Sequence, residues 1–286
     1  MQNLSMLFFC ALAVALFPIM SSAQRIAFTS LRDGNMELYS IAPDGGNLLR
    51  LTDHPGKDLN PSWSPDGMRL AFESDRDGNA EVYLINRDGS NPVRLTDAPG
   101  EDGRPAWSPN GQFIAYYHQS DGGEPQIHIM RPDGQFVRNL APTSAHTQLQ
   151  WTPNSQAVLA YMYDEQGTAI YRIDLDDAPP TPLTYVDDSD NGFSLSADGQ
   201  RLVLAAEIDD FGSELFVLEL DSNTPQRLTK NLYRDTLPCW SPEGTHIVFT
   251  AFQGGPPMLY IMDLASGNTS PLTTTPANFG CAWSLH

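Results

Sequence analysis

The amino-acid sequence predicts an all-β fold, a six-bladed β-propeller built from four-stranded blades. Three observations lead to it: six similar strings, four strand-like segments in each repeat, and two chain ends that together complete one unit. The strings follow one another at intervals of 44, 44, 44, 45 and 43 residues, which is the period of a propeller blade. Each is Trp-Ser-Pro-Asp-Gly or a variant of it, and they begin at Trp63, Trp107, Trp151, Leu195, Trp240 and Trp283.

Every repeat has the same internal order. The Pro-Asp-Gly turn is followed by a short apolar run such as Leu70-Ala-Phe72 and then by a polar loop. Next comes a segment whose side chains alternate in character with a period of two residues, such as Glu81-Val-Tyr-Leu-Ile85. An Asp-Gly turn and a short segment ending in Leu-Thr complete the unit. Alternation with a period of two, bounded by Gly, Pro and Asp turns, is typical of strands. The pattern therefore predicts four strands in each repeat and no helices.

The two ends of the repeat region belong to one blade. The segment Arg25-Ile-Ala-Phe-Thr29 matches the second strand of a repeat, and Cys281-Ala-Trp283 matches the first. The last segment is therefore expected to complete the opening blade, which closes the ring and leaves no open sheet edge.

Residues 1–23 are predicted to form a signal peptide ahead of a propeller at 24–286. They carry no charged side chain, contain the apolar run Leu7–Leu16, and end in the small residues Ser21-Ser22-Ala23. This run is too short for a stable membrane anchor, which needs about 20 apolar residues. We therefore expect a periplasmic or secreted protein that does not span a membrane.

The charge balance limits the classes of partner. The chain has 16 Lys and Arg against 35 Asp and Glu, for a formal net charge of −19. Nucleic acids and anionic membrane surfaces are bound through positive charge, so this composition argues against both. It favours a cation or a basic protein segment instead.

The repeat resembles that of TolB-like six-bladed propellers, a WD40-like repeat family. The clearest matches are Ser30-Leu-Arg-Asp-Gly-Asn-Met-Glu-Leu-Tyr39 and Ser74-Asp-Arg-Asp-Gly-Asn-Ala-Glu-Val-Tyr83. The resemblance implies a periplasmic propeller that binds a lipoprotein of the cell envelope. TolB itself carries an α/β domain before its propeller, whereas here the repeats follow directly on the predicted signal peptide. Related propellers precede serine-peptidase domains, but the chain has no Gly-x-Ser-x-Gly string.

Six candidate site residues lie five positions before the repeat anchors. Because the repeats are symmetric, these residues are expected to ring one mouth of the channel, where converging negative charge attracts cations or basic side chains. Asp and Asn at such positions also commonly hold turns together by hydrogen bonds to backbone, and both roles can coexist. The six predicted ligand- or partner-binding residues are Asp58, Asp102, His146, Asp190, Asp235 and Asn278.

A metal-assisted enzyme is the alternative. It would act on a saccharide or another small molecule, with a divalent cation at the channel mouth and His146 beside Asp102 or Asp190 as general base. Related sugar lyases hold a metal through several histidines, which this chain does not visibly supply. The segment from Asp75 to Glu81 resembles a calcium loop but lacks the glycine and glutamate spacing of an EF-hand. We predict no catalytic residue, no metal site and no resident cofactor.

Two cysteines, Cys239 and Cys281, remain beyond the predicted signal peptide. They fall on consecutive innermost strands with opposite parity, so they either face one another or point apart. An exported protein can form a disulfide, but the sequence leaves both arrangements open.

The preferred prediction is a non-enzymatic protein-binding module. Its acidic channel mouth would recognise a protein of the cell envelope, with a lipoprotein or a basic segment as the candidate partner. A purely structural spacer without a ligand is a third possibility.

Overall fold

The computed structural model describes residues 24–144, 147–186, 192–209 and 212–286, which form six four-stranded antiparallel sheets around a channel. This confirms the predicted all-β, six-bladed propeller. The part of the chain that is described contains no helix, and so none that could cross a membrane. Its strands are β1 (Ile26–Ser30), β2 (Glu37–Ile41), β3 (Leu49–Arg50), β4 (Asp58–Trp63), β5 (Arg69–Ser74), β6 (Glu81–Asn86), β7 (Val93–Arg94), β8 (Glu101–Trp107), β9 (Ile114–Gln119), β10 (Gln126–Met130), β11 (Phe136–Pro142), β12 (Leu149–Trp151), β13 (Ala157–Asp164), β14 (Gly167–Asp174), β15 (Thr181–Tyr185), β16 (Phe193–Leu195), β17 (Arg201–Asp209), β18 (Gly212–Glu219), β19 (Thr224–Arg227), β20 (Arg234–Trp240), β21 (His246–Phe252), β22 (Met258–Asp263), β23 (Thr269–Pro271) and β24 (Asn278–Trp283).

Blades 2 to 6 each take four consecutive strands, starting at β4, β8, β12, β16 and β20. Blade 1 has the order β24-β1-β2-β3, so its innermost strand comes from the end of the chain. The innermost strand of every blade ends at the repeat anchor and lines the channel.

The Ser-Pro-Asp-Gly turn joins the first and second strands through its own side chains. In blade 2 the hydroxyl of Ser64 accepts a hydrogen bond from the backbone N–H of Arg69 at 2.9 Å, and the carboxylate of Asp66 accepts one from Met68 at 3.0 Å. Gly67 adopts φ +66°, a conformation that costs glycine little. The repeated string is therefore a hairpin that sets the register of each inner strand pair.

The anchor tryptophans pack between neighbouring blades. Trp63 lies in one buried cluster with Leu70 and Phe72 of its own blade and Leu38 of blade 1. Its indole N–H donates to the backbone oxygen of Ala282, also in blade 1, at 3.1 Å. Aromatic burial of this kind contributes both apolar area and a directed hydrogen bond, so it holds the blades to one another.

The ring closes where the sequence predicts. Strand β24 pairs with β1, with Trp283 opposite Ile26 and Asn278 opposite Ser30. Cys239 of β20 and Cys281 of β24 form a disulfide, which settles the alternative that the sequence left open. The closing strand β24 is thus joined to β1 of its own blade by strand pairing and to blade 6 by a covalent bond.

Candidate functional site

The upper face of the propeller is the end at which the innermost strands begin and the hairpins between second and third strands turn. Four of the six predicted site residues are placed there at equivalent positions: Asp58, Asp102, Asp235 and Asn278, each the first or second residue of its innermost strand. The other two, His146 and Asp190, lie outside the described residues. We call the four placed residues the ring residues.

The ring residues are buried. Their exposed fractions are 0% for Asp58, 2% for Asp102, 1% for Asp235 and 0% for Asn278. A buried polar side chain must be hydrogen-bonded, and a buried charge must be compensated. Each ring residue is therefore best understood through the groups that contact it.

In blade 2, Asp58 is held by an arginine from its own hairpin. Nη2 of Arg76 lies 2.9 Å from both carboxylate oxygens, and the guanidinium stacks over the ring of Tyr83 at 4.8 Å. The backbone N–H of Asp58 donates to the oxygen of Met36 in blade 1 at 2.9 Å. Burial raises the pKa of Asp58, while its contacts with Ser74 and Arg76 oppose that shift. The residue ties two blades together.

In blade 3, a histidine takes the place of the arginine. Nδ1 of His118 lies 2.6 Å from Oδ1 of Asp102, and its ring stacks on His128 with centroids 4.3 Å apart. Burial raises the pKa of Asp102 against the opposing effect of His118. Burial, followed by the charge of His118, lowers the pKa of His128 to about 4.

In blade 1, the ring residue is an amide. Oδ1 of Asn278 accepts a hydrogen bond from Nη2 of Arg32 at 2.8 Å, and its Nδ2 donates to the hydroxyl of Thr273 at 3.0 Å. Arg32 stacks over Tyr39 at 4.4 Å. The backbone N–H of Asn278 donates to Pro257 of blade 6 at 3.1 Å, which repeats the link between blades that Asp58 makes.

Blade 6 departs from this pattern. The side-chain amide of Asn231 donates to Oδ2 of Asp235 at 2.7 Å, and the side chain of Thr229 also hydrogen-bonds to this carboxylate. Its other carboxylate oxygen, Oδ1, is buried and has no hydrogen-bond partner among the described residues. Burial raises the pKa of Asp235 to about 6; Asn231 and Thr229 oppose the shift and the nearby Glu214 adds to it.

A second set of buried carboxylates was missed by the sequence reasoning. Glu37, Glu81 and Glu214 each pair with an arginine at 3.1, 2.6 and 2.9 Å. These arginines, Arg50, Arg94 and Arg227, stand two residues before the threonine of the repeated Leu-Thr. The constant position of arginine in three repeats was a signal that could have identified these pairs.

The channel itself is a cavity of about 720 Å³ with a mainly apolar wall. The wall is built from the innermost strands and includes the anchor tryptophans and the prolines that follow them. Among its described lining residues, Arg104 is the one charged side chain. The channel mouth was predicted to be acidic, but no Asp or Glu is among the described residues that line the channel. Exposed carboxylates such as Asp53 and Asp97 lie in the surrounding loops, where they pair with Arg50 and Arg94 at 2.7 Å each.

Bulges set the shape of the upper channel. Two residues after each ring residue the backbone has positive φ: +50° at Asn60, Arg104 and Leu237, and +59° at Gly280. The pairing of these strands shifts register at the same points. Bulges of this kind redirect side chains next to binding sites, and here they turn Asn60, Arg104 and Leu237 to the channel wall.

The segment resembling a calcium loop is occupied by its own contacts. Asn79 donates to the carboxylate of Glu81 at 2.8 Å and to the backbone of Gly100 at 2.6 Å, and Oδ1 of Asp75 accepts from the backbone of Lys57. Across the described ranges, no three His, Cys, Asp or Glu side chains gather as a metal site would require.

The fold and the repeat define a TolB-like six-bladed propeller. The model of the TolB beta propeller domain family matches residues 15–191 and 190–285, and the chain belongs to this family. Two curated relatives are both named Tol-Pal system protein TolB. The protein of Syntrophotalea carbinolica is 51% identical over 45 residues, 16% of this chain and 10% of that protein. The protein of Desulfosudis oleivorans is 30% identical over 74 residues, 26% of this chain and 17% of that protein.

The matched segments span less than a fifth of either relative's length.

Among solved structures, TolB from Acinetobacter baumannii superposes with a TM-score of 0.79 at 22% identity, covering 93% of this chain and 67% of that one. Hydrazine synthase from Kuenenia stuttgartiensis gives 0.72 at 14% identity, with coverages of 92% and 47%. At these identities the likeness is one of fold, and this fold serves proteins of different function.

Proposed function

We propose that this chain is an exported, non-enzymatic protein-binding module of a Tol-Pal-type envelope system, located in the periplasm or secreted. The partner is a protein of the cell envelope, with a lipoprotein or a protein bearing a basic segment as the candidate. Membership of the TolB propeller family supports this role. The signal peptide predicted at residues 1–23 supports the location.

The observation that carries the proposal is the open apolar channel beneath a charged upper face. A concave cavity of about 720 Å³ has the size and apolar character of a binding site. The surrounding loops carry exposed carboxylates, which attract a basic partner electrostatically, and the range of this attraction decreases as salt is added. The loops thus guide the partner to the propeller, and the apolar channel binds it.

The ring residues prepare the mouth for binding. Asp58, Asp102 and Asn278 each link the hairpin of one blade to the preceding blade through buried hydrogen bonds. A loop that is already ordered loses little conformational entropy when a partner binds. In this proposal, Asp58, Asp102 and Asn278 are positioning residues, and the partner contacts the side chains that they hold in place.

Affinity capture from an envelope extract tests the proposal, with the chain from Gln24 onward as bait. Two variants make a matched pair: Met36→Lys, at a residue that lines the upper channel, and Met68→Lys, at an exposed residue beside the turn at the other end of the channel. We expect wild type and Met68→Lys to retain the same protein and Met36→Lys to lose it, because a positive charge in the apolar mouth repels a basic partner.

Equal capture by all three baits would place the interface elsewhere on the propeller. Capture of nothing by any bait would contradict the binding module. In that case a rise in Tm with one equivalent of a divalent cation would support the metal-assisted enzyme, because a ligand stabilises the state that binds it.

A further inference from the structure

Three of the four ring residues are contacted by a cationic side chain or an imidazole of their own blade. Asp58 has Arg76 at 2.9 Å, Asp102 has His118 at 2.6 Å, and Asn278 has Arg32 at 2.8 Å. Each of these partners comes from the second strand or the hairpin that follows it. The propeller thus uses one arrangement in blades 1, 2 and 3.

Blade 6 contains the carboxylate but not the cation. Asp235 is 1% exposed, and its Oδ1 is a buried acceptor with no hydrogen-bond partner among the described residues. The groups that face it are Asn231, Thr229, Glu214 and Tyr260. Arg227 of the preceding blade pairs with Glu214 at 2.9 Å. Among the described residues, the structure shows no hydrogen bond or ion pair between a cationic side chain and the carboxylate of Asp235.

Strand register identifies the residue that stands where the arginine should be. Asp58 is opposite Ser74, and Arg76 follows two residues later; Asp235 is opposite Ala251. The position equivalent to Arg76 is therefore Gln253, whose side chain is exposed. Gly254 and Gly255 follow it, and a Cβ added at either would meet nothing within 4 Å. The hairpin above Asp235 is short of side chains and open to solvent.

We propose that Asp235 binds a guanidinium or ammonium group from a protein partner, which supplies in trans the cation that Arg76 supplies to Asp58 within the chain. This inference rests on the proposed protein-binding function and specifies the chemistry of the partner. An arginine suits the site best, because a planar guanidinium fits a carboxylate through more than one hydrogen bond. The partner's guanidinium displaces the side-chain amide of Asn231, an exposed residue, from the carboxylate of Asp235.

The surroundings specify the rest of the partner segment. Leu232 is 91% exposed and Tyr233 is 41% exposed, and both precede Asp235 in the same loop. These two adjacent side chains can cover the aliphatic stem of an arginine whose charged head reaches Asp235. The partner therefore presents an arginine flanked by apolar residues. The raised pKa of Asp235 is in keeping with a carboxylate that lacks its counter-charge.

The test uses a small probe and a variant that fills the site. N-acetyl-arginine amide is titrated into the chain from Gln24 onward at pH 7.5 and followed by the NMR signals of the Asp235 carboxyl group and the Asn231 amide. N-acetyl-citrulline amide, which has the same shape without the charge, is the control ligand. Gln253→Arg provides the missing cation in cis, Asp235→Asn removes the charge, and Gln166→Arg adds an arginine to the exposed hairpin of blade 4 as the matched control.

We expect the arginine probe to shift both signals in wild type and Gln166→Arg, and to bind at least about tenfold more weakly to Gln253→Arg and Asp235→Asn. The citrulline probe should shift neither signal. If Asp235→Asn does not fold, Gln253→Arg still decides the outcome. Equal binding of the two probes, or undiminished binding to Gln253→Arg, would overturn the proposal. So would displacement of the arginine probe by stoichiometric Ca²⁺ or Mg²⁺, which would make the site a metal site.

Envelope capture separates this inference from the proposed function. Gln253→Arg should lose the partner that wild type and Gln166→Arg retain. If all three retain it, the protein-binding function stands and the role of Asp235 is wrong.

Discussion

One guanidinium nitrogen of Arg76 lies 2.9 Å from both carboxylate oxygens of Asp58, and the two side chains are 13% and 0% exposed. The arginine comes from the hairpin of blade 2, and the aspartate opens the innermost strand of the same blade. The contact therefore fixes a loop of the upper face to the channel wall. Its consequences for stability can be measured directly.

Replacing Arg76 with Ala should lower the free energy of unfolding by about 3 kcal/mol, because it leaves a buried carboxylate without its counter-charge. Arg138→Ala is the comparison, since Arg138 pairs with an Asp177 that is largely exposed, and such pairs contribute about 1 kcal/mol or less. Urea unfolding followed by tryptophan fluorescence measures both. Equal losses in the two variants would show that burial of the Asp58 pair has no special effect.

Asp235 should make stability depend on pH in an unusual direction. Burial raises its pKa to about 6 in the folded protein from the ordinary value of 3.8, so the folded state holds this proton more tightly than the unfolded state does. Stability from this group is therefore present below about pH 4 and is lost as the pH rises to about 6, by about 3 kcal/mol in all.

Asp235→Asn removes that loss because the amide cannot ionise. Relative to wild type, the variant should gain stability as the pH rises from about 4 to about 7 and differ little at pH 4. Urea unfolding of both proteins across this range gives the difference directly. A difference that does not change with pH would mean that Asp235 has an ordinary pKa.

His128 should remain uncharged well into the acid range. Burial lowers its pKa to about 4, and the neighbouring His118 contributes through its charge. The imidazole signals in a heteronuclear NMR titration should therefore report neutral His128 down to about pH 5. His118→Gln should raise the pKa of His128, since it removes the neighbouring charge; an unchanged titration would assign the whole shift to burial.

The Cys239–Cys281 disulfide should stabilise the closed ring. The two cysteines are 42 residues apart, and constraining an unfolded chain over such a loop corresponds to about 4 kcal/mol. Replacing both with Ser should lower the free energy of unfolding by up to that amount, and β24 amides should exchange faster with solvent. Adding reductant to wild type should have the same effect, whereas adding it to the double variant should change nothing.

The fold was predictable from the sequence because its signals are local and repeated. Trp63 and its equivalents recur at a nearly constant interval, and the turn after each is set by neighbouring residues such as Ser64 and Gly67. Closure by β24 could be predicted as well, since Cys281-Ala-Trp283 matches only the first strand of a repeat.

The environment of the candidate site was harder to predict. Position in the repeat identified Asp58 and Asp235 equally, but their surroundings depend on hairpin residues 18 positions later, which are Arg76 in one blade and Gln253 in the other. Burial of a carboxylate follows from packing between blades, which a single repeat does not reveal. The disulfide likewise depends on the angle between two blades rather than on the spacing of its cysteines.

The pairing of β24 with β1 also has a consequence for how the molecule is made. The strand that completes the first blade is synthesised after every other strand of the described chain, so blade 1 waits as a three-stranded sheet until β24 has been made. Until then β1 presents an unpaired inner edge, the kind of surface on which chains pair wrongly with one another. Arrival of β24 therefore closes the whole ring at once, and this propeller cannot complete its fold before that strand is present.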